Sequence, residues 1–219
     1  MGQIYHLILA EELLTSNAIT LGVRPEQLAQ IKVSVYVEVS QLPQPCLWLS
    51  YDITFPSLTL GAQLQWPHWS AHNVQFTDYL WEQTCLECFL ATDDQSYVEV
   101  NANPNGQYAI YSFENYQTPS TLPPTPLLQP HSTQRAFLNW DNERRFGADS
   151  HDFQRTIGIP LAQLPFDVTS AHSAVLLHPC VILYFGSTPL YFASAHPSTA
   201  DFHLRHYWPT YPQSSLSNT

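Results

Sequence analysis

The sequence predicts an all-β protein, an antiparallel β-sandwich or jelly roll, and three observations predict it. Apolar and polar residues alternate with period two along several short segments, the pattern of half-buried strands. Turn signals built on Pro, Gly and Asn separate those segments. Charged residues make up 11% of the chain, against about 25% in an average globular protein. Strands whose outward faces carry Ser, Thr, Gln, Asn and Tyr explain that figure better than surface helices do.

The clearest strand covers residues 31–40, where Ile31, Val33, Val35, Val37 and Val39 alternate with Lys32, Ser34, Tyr36, Glu38 and Ser40. After a Pro-bearing turn at 41–45, residues 47–55 place Leu47, Leu49, Tyr51, Ile53 and Phe55 on one face. Segments 84–90, 97–102 and 107–113 read as strands. The run Asn103-Pro104-Asn105-Gly106 joins the last two as a hairpin, with Gly106 free to take a positive φ. Pro119, Pro123, Pro124, Pro126 and Pro130 keep residues 118–130 out of any central strand or helix. That stretch is either a long exposed connection or an ordered loop along one side. Further strands are expected at 135–140, 152–159, 180–185 and 190–196. Short helical turns are expected at 25–30 and 160–164. No internal repeat is present, and neither side of the Pro-rich stretch has enough strands for a sandwich, so residues 1–219 read as one domain.

Composition excludes some functions. Seven basic against 18 acidic residues give a net charge of −11. A chain this acidic lacks the basic footprint of a nucleic-acid binder and is repelled by anionic membrane surfaces. The opening run has no basic region, and its apolar stretch stops at Glu11, unlike a signal peptide. No segment approaches the roughly 18 apolar residues of a membrane-spanning helix. The expected location is the cytoplasm, with Cys46, Cys85, Cys88 and Cys180 as free, mostly buried thiols.

Three constellations could carry chemistry. Cys85-Leu-Glu-Cys88 has redox spacing, but a redox pair opens a helix; inside a strand pattern its thiols face opposite ways. Without a second pair it is no zinc site either. On one strand face lie Tyr97, Glu99, Asn101 and Asn103, and one strand earlier Cys85, Glu87 and Phe89. With Trp81, Tyr97 and Tyr108 nearby, these polar groups suit a sugar-like ligand, whose C–H faces stack on rings while its hydroxyls meet carboxylates and amides. An ordinary solvated sheet face would show the same alternation. Glu87 and Glu99 also raise glycoside hydrolysis, which needs a carboxyl pair roughly 5–10 Å apart. Towards the C-terminus, His196, Asp201 and His203 form a two-histidine, one-carboxylate set of the kind that binds Fe(II) or Zn; a hydrogen-bonded or ligand-contacting cluster is the other reading. No Gly-x-Ser-x-Gly elbow is present. Met1 is the sole methionine, so haem ligation would have to be bis-histidine or of another type.

Three segments together resemble a known family: Leu80-Trp-Glu-Gln-Thr-Cys-Leu-Glu-Cys-Phe-Leu90, the run from Tyr97 through Asn103-Pro-Asn-Gly106 to Tyr111, and His196-Pro-Ser-Thr-Ala-Asp-Phe-His203. Their order and spacing are similar to the bacterial DOMON-like proteins, in the superfamily of family 9 carbohydrate-binding modules and haem-binding DOMON domains. The strand Leu47-Trp-Leu-Ser-Tyr-Asp-Ile53 fits the same layout. The resemblance implies an immunoglobulin-like or jelly-roll β-sandwich with a ligand, sugar or haem, against one sheet. The family's recurring residues fall on Trp81, Thr84, Cys85, Glu87, the run Glu99 to Gly106, and Asp201 to His203. This chain departs from the pattern at Gln117, where the family has Arg, and at Ala200, where it has Pro. Losing the Arg argues against a carboxylate or phosphate ligand. The expectation is a non-catalytic binding domain for a carbohydrate or similar hydroxyl-rich small molecule. Trp81 and Tyr108 would stack on it, Glu87, Glu99, Asn101 and Asn103 would bond it, and Asp201 and His203 would close one edge beside His196. The alternatives are haem binding, a metal- or carboxylate-dependent hydrolase, and a protein-interaction module using the Pro-rich segment. No cofactor is assigned.

Overall fold

The computed structural model describes residues 2–92, 94–141, 152–168 and 174–212; Met1 lies outside them. The protein is mostly β. The first half of the chain supplies β1 (Gln3–Leu9), β2 (Lys32–Ser40), β3 (Cys46–Thr54), β4 (Gln75–Phe76), β5 (Cys85–Ala91) and β6 (Tyr97–Ala102). Then come β7 (Gln107–Phe113), β8 (Asn139–Asp141), β9 (Asp152–Pro160), β10 (Val175–Phe185), β11 (Thr188–Ala193) and β12 (Thr210–Tyr211). Short helices α1 (Leu14–Leu21), α2 (Pro25–Ala29) and α3 (Leu58–Gly61) fill connections.

Hydrogen bonding links these strands in the order β4-β7-β6-β5-β10-β11-β1-β2-β3-β9-β8, with β12 added to β10. The long sheet curls, and β1 is where it passes from one half to the other. Its Gln3–Leu7 stretch pairs with β2, while Ile8 and Leu9 pair with β11. The curl follows from sequence parity. Val33, Val35 and Val37 of β2 and Leu49, Tyr51 and Ile53 of β3 present one apolar face. Leu86, Cys88 and Leu90 of β5 and Val98 and Val100 of β6 present another, and all of these residues share one core. The Tyr51 hydroxyl crosses it to donate to the Glu87 carbonyl at 2.7 Å. Each fully buried Leu or Val contributes about 1.5–3 kcal/mol, so the facing stripes hold the halves together.

The alternation at residues 31–40 and 47–55 becomes β2 and β3, and the hairpin at Asn103 becomes the β6–β7 turn. Gly106 there has φ 116°, and a Cβ on it would meet the Ser70 carbonyl oxygen at 3.1 Å. Other elements differ from expectation. The sheet is mixed, not antiparallel throughout, because β4 pairs with β7 in parallel; no hairpin connects those two strands, so no tight turn fixes their relative direction. β10 begins at Val175 instead of residue 180. Pro179 hides its start, and the strand tolerates it because Pro179 falls in the gap between the stretch paired to β12 and the stretch paired to β11. β11 starts at Thr188 and stops at Ala193, short of His196. β8 is confined to Asn139–Asp141, because Arg135 and Ala136 pair with Leu128 and Leu127. The Pro-rich stretch is an ordered loop: Leu127 N–H donates to Ile110 at 2.8 Å and Ser112 N–H donates to Thr125 at 3.0 Å. It thereby runs along the free edge of β7.

Candidate functional site

In β5 and β6 the residues not given to the core point to the other face. Glu87 lies opposite Asn101, and Phe89 opposite Glu99, so Glu87 and Glu99 are diagonal neighbours on one surface. Ala109, Tyr111 and Phe113 of β7 and Cys180 and Ile182 of β10 extend the same surface. In a sheet with one wet side this face would be solvated. Here Glu87 is 3% exposed, Glu99 5% and Asn101 0%. A second apolar cluster, centred on Phe89, Tyr97, Tyr111, Phe202 and Trp208, lies on that face.

Three segments make the cover. The turn Leu80–Glu82 brings in Trp81, the Pro-rich loop supplies one wall, and the stretch from Thr199 to Trp208 supplies another. This last stretch is tied down at several points. Trp208 Nε1 donates to the Phe202 carbonyl at 2.9 Å. The Arg205 guanidinium donates to the carbonyls of Thr92 and Asp94. Asp201 accepts from the Tyr116 hydroxyl at 2.7 Å and from the His203 N–H at 3.0 Å.

Beneath the cover is a cavity of about 600 Å³. The sheet gives it a floor of Glu87, Glu99, Phe89 and Ile182, and Trp81 and Phe113 stand beside them. Pro119, Leu122 and Pro124 form the loop wall, and Gln117, Ser120, Thr121 and Thr199 add neutral polar groups. Asp201, Phe202 and His203 complete the lining.

A chain of hydrogen bonds fixes the polar groups. Asn101 Nδ2 donates to Glu99 Oε1 at 2.7 Å, and Asn101 Oδ1 accepts from the Cys85 thiol at 3.4 Å. The Tyr97 oxygen accepts from Gln117 N–H at 3.1 Å, which leaves its hydrogen for His203 Nδ1 at 2.8 Å. The other ring nitrogen, Nε2, faces Glu99 Oε2 at 3.8 Å. Gln117, at φ 45°, is held in left-handed backbone by this contact and its loop.

Burial dominates the ionisation here. It pushes the Glu87 carboxyl well above the usual range, the neighbouring Glu99 pushes it further, and the adjacent Cys85 thiol opposes the rise only in part. Glu99 is also raised by burial, against the pull of His203 and Asn101. Two adjacent buried carboxyls therefore hold protons at neutral pH more readily than exposed ones. Burial, with the Glu87 charge adding to it, raises the Cys85 and Cys180 thiols as well, so neither is an activated thiolate.

Trp81, Glu87, Glu99, Asp201 and His203 thus line one cavity, while Tyr97 and Asn101 reach it through His203 and Glu99. Asn103 is elsewhere: its Nδ2 donates to the Thr84 carbonyl at 3.1 Å and its Oδ1 accepts from Asn105 N–H at 3.0 Å. It borders a separate hollow of about 330 Å³. Tyr108 points to the core side, opposite Ala102, with its ring edge-on to Phe76. His196 donates from Nδ1 to the Pro197 carbonyl at 2.7 Å, and its buried Nε2 has no partner among the described residues. It acts on His178, a β10 residue stacked on Trp208, and is not among the residues that line the cavity. Among the described residues no group of three or more His, Cys, Asp or Glu is placed to hold a metal ion. Cys85 and Cys88 face opposite sides of β5, and all four cysteines are free and buried. Sequence reasoning missed Phe113 and Ile182, which strand parity from Tyr111 and Cys180 could have found. It also missed the Pro-rich wall, for which no local signal exists.

The site is a half-open pocket in which polar groups converge among aromatic side chains. No protein-family model matches the chain, and no curated protein matches it either. Among solved structures, the chain is similar to the crystal structure of a candidate carbohydrate-binding protein from Bacteroides uniformis. The TM-score is 0.49 at 11% identity, over 95% of this chain and 84% of that one.

Proposed function

We propose that this protein is a non-catalytic binding domain for a hydroxyl-rich small molecule, with a carbohydrate the preferred class. We read its curled sheet as a β-sandwich of the DOMON-like kind. One observation carries the proposal: a cavity of about 600 Å³ whose floor combines two buried carboxyls with Phe89, beside Trp81 and Phe113. That volume is within the usual 300–1,000 Å³ of small-ligand pockets. Protonated or ionised, the carboxyls supply hydrogen bonds in the directions hydroxyls need, and the rings offer stacking surfaces for C–H faces.

The haem alternative has less support. Among the described residues His203 is the one histidine lining the cavity, and its ring nitrogens are turned to Tyr97 and Glu99. Saturation-transfer NMR against a panel of neutral mono- and disaccharides and their amino derivatives tests the proposal. Binding that disappears in Glu99→Gln with the fold retained is the expected result. A folded protein that binds no member of the panel, or one that develops a Soret band on haem titration, overturns it.

A further inference from the structure

The cavity's charge pattern narrows the ligand class, and this step rests on the carbohydrate reading above. We propose that the cavity selects an amino sugar, seating its ammonium group between Glu87 and Glu99 with aromatic faces around it.

Four independent features support this. First, among the described residues the formal charges in the lining are all acidic: Glu87, Glu99 and Asp201, with no lysine or arginine. Second, Glu87 is almost fully buried with its side chain in the lining, and the thiol beside it, Cys85, is a weak donor whose one hydrogen goes to Asn101 Oδ1. A buried carboxyl so poorly matched within the chain is open to a strong donor from outside. Third, Glu99 already uses Oε1 on Asn101, so Oε2 is the oxygen left to share between His203 and a ligand. Fourth, Trp81, Phe89 and Phe113 line the same space. Their ring faces attract a cation, and the attraction grows when water is excluded. A neutral sugar would use the rings and some of the hydrogen bonds but leave the carboxyl pair without a counter-charge.

A proton accompanies the binding. The raised carboxyl pair holds protons more readily than exposed carboxyls do; an ammonium arriving beside it favours the carboxylates, so binding releases a proton to solvent. The groups that bear on this equilibrium are Cys85 on β5, Tyr97 and Glu99 on β6, and Tyr111 on β7. Cys180 and Tyr184 on β10 and Tyr191 on β11 act on Glu87 as well. His203 acts on Glu99, and Asp201 on Tyr97, from the C-terminal stretch. A neutral sugar gives no such release.

Isothermal titration of the full chain with glucosamine, galactosamine and mannosamine, with glucose, galactose, mannose and N-acetylglucosamine as neutral counterparts, tests this. The expected result is that at least one amino sugar binds about tenfold or more tighter than its neutral counterpart. Its heat should depend on the buffer's ionisation enthalpy, as proton release requires. Glu87→Gln, an isosteric change that keeps the fold, should remove both the preference and the buffer dependence. Equal affinity for amino and neutral sugars overturns the inference and leaves the carbohydrate reading standing. Absence of binding by every sugar at millimolar concentration overturns both. Putrescine binding as tightly as the best amino sugar overturns the sugar half and hence the inference.

Discussion

His178 gives the sharpest test of how this fold holds its second apolar cluster. The ring is buried in β10, stacked on Trp208 at 6.0 Å and 13°, with Phe89 and Phe202 each 6.3 Å away. Burial, with His196 adding to it, lowers its pKa from 6.5 to about 3. A depressed histidine favours the folded state above the unfolded value, because the unfolded chain takes up the proton first. That stability is present above pH 6.5 and is lost as the pH falls towards 3. At about 1.4 kcal/mol per pH unit, the loss reaches about 2 kcal/mol at pH 5 and about 4 kcal/mol at pH 3. Phenylalanine in its place keeps the ring but cannot take the proton. Urea denaturation of wild type and His178→Phe, followed by tryptophan fluorescence, gives the difference in unfolding free energy at each pH. Subtraction removes the slopes of every other group, including the opposite slopes of Glu87 and Glu99. The difference should be constant above about pH 7 and then move by about 2 kcal/mol in favour of the variant by pH 5. Parallel curves across that range would refute the reasoning, since they would mean that His178 is already solvated.

Glu87→Gln should raise thermal stability at about pH 8 and lose that advantage at about pH 4. A raised carboxyl contributes stability below its unfolded pKa and loses it as the pH rises; scanning calorimetry at both pH values checks the crossover. Tyr97→Phe removes the hydroxyl that joins Gln117 N–H to His203, so it should cost about 1–2 kcal/mol in chemical denaturation. It should also broaden the His203 ring resonances. Asn103→Ala loses the bonds to Thr84 and Asn105 at the β6–β7 turn and should cost about 1–2 kcal/mol. Sugar affinity should be unchanged, because Asn103 lies outside the cavity.

Much of the sheet was legible in the sequence because period-two alternation reports which faces are dry. Val33, Val35 and Val37 and the run from Leu47 to Ile53 could hardly pack another way. The elements that escaped notice lack that signal. β1 exposes Ile4 and Ile8 opposite the buried Tyr5 and Leu7, which blurs its alternation; β4 and β12 are two residues each, and the start of β10 is hidden behind Pro179, whose fit depends on where two partner strands stop. The site was half legible. Parity placed Glu87, Glu99 and Asn101 on one face, as it must, but parity reads dry and wet and cannot see a cover. The cover comes from Trp81 before β5, the Pro-rich loop after β7 and the stretch from Thr199 to Trp208 near the C-terminus. Nothing local in these segments says that they meet. Tyr108 shows the reverse error: proximity in sequence to the polar run suggested the site, while one step of parity sends it to the core.

The covered face is the strongest argument that this surface is more than scaffolding. An outer face carrying Glu87, Glu99 and Asn101 would be satisfied by water alone. The chain instead lays Phe202 and Trp208 over part of it and anchors the stretch through Arg205, Asp201 and His203. Desolvating two neighbouring carboxyls opposes folding, and well-packed apolar residues in such places are often as stable or more so. A purely structural role would therefore be better served by Leu or Met at both positions. Retaining the acids beneath a partial cover that leaves about 600 Å³ trades stability for a preorganised polar cavity, as binding sites commonly do. The cost falls on Glu87 more than on Glu99, which keeps Asn101 and His203. The group left most in need of a partner is thus the one that a ligand would relieve.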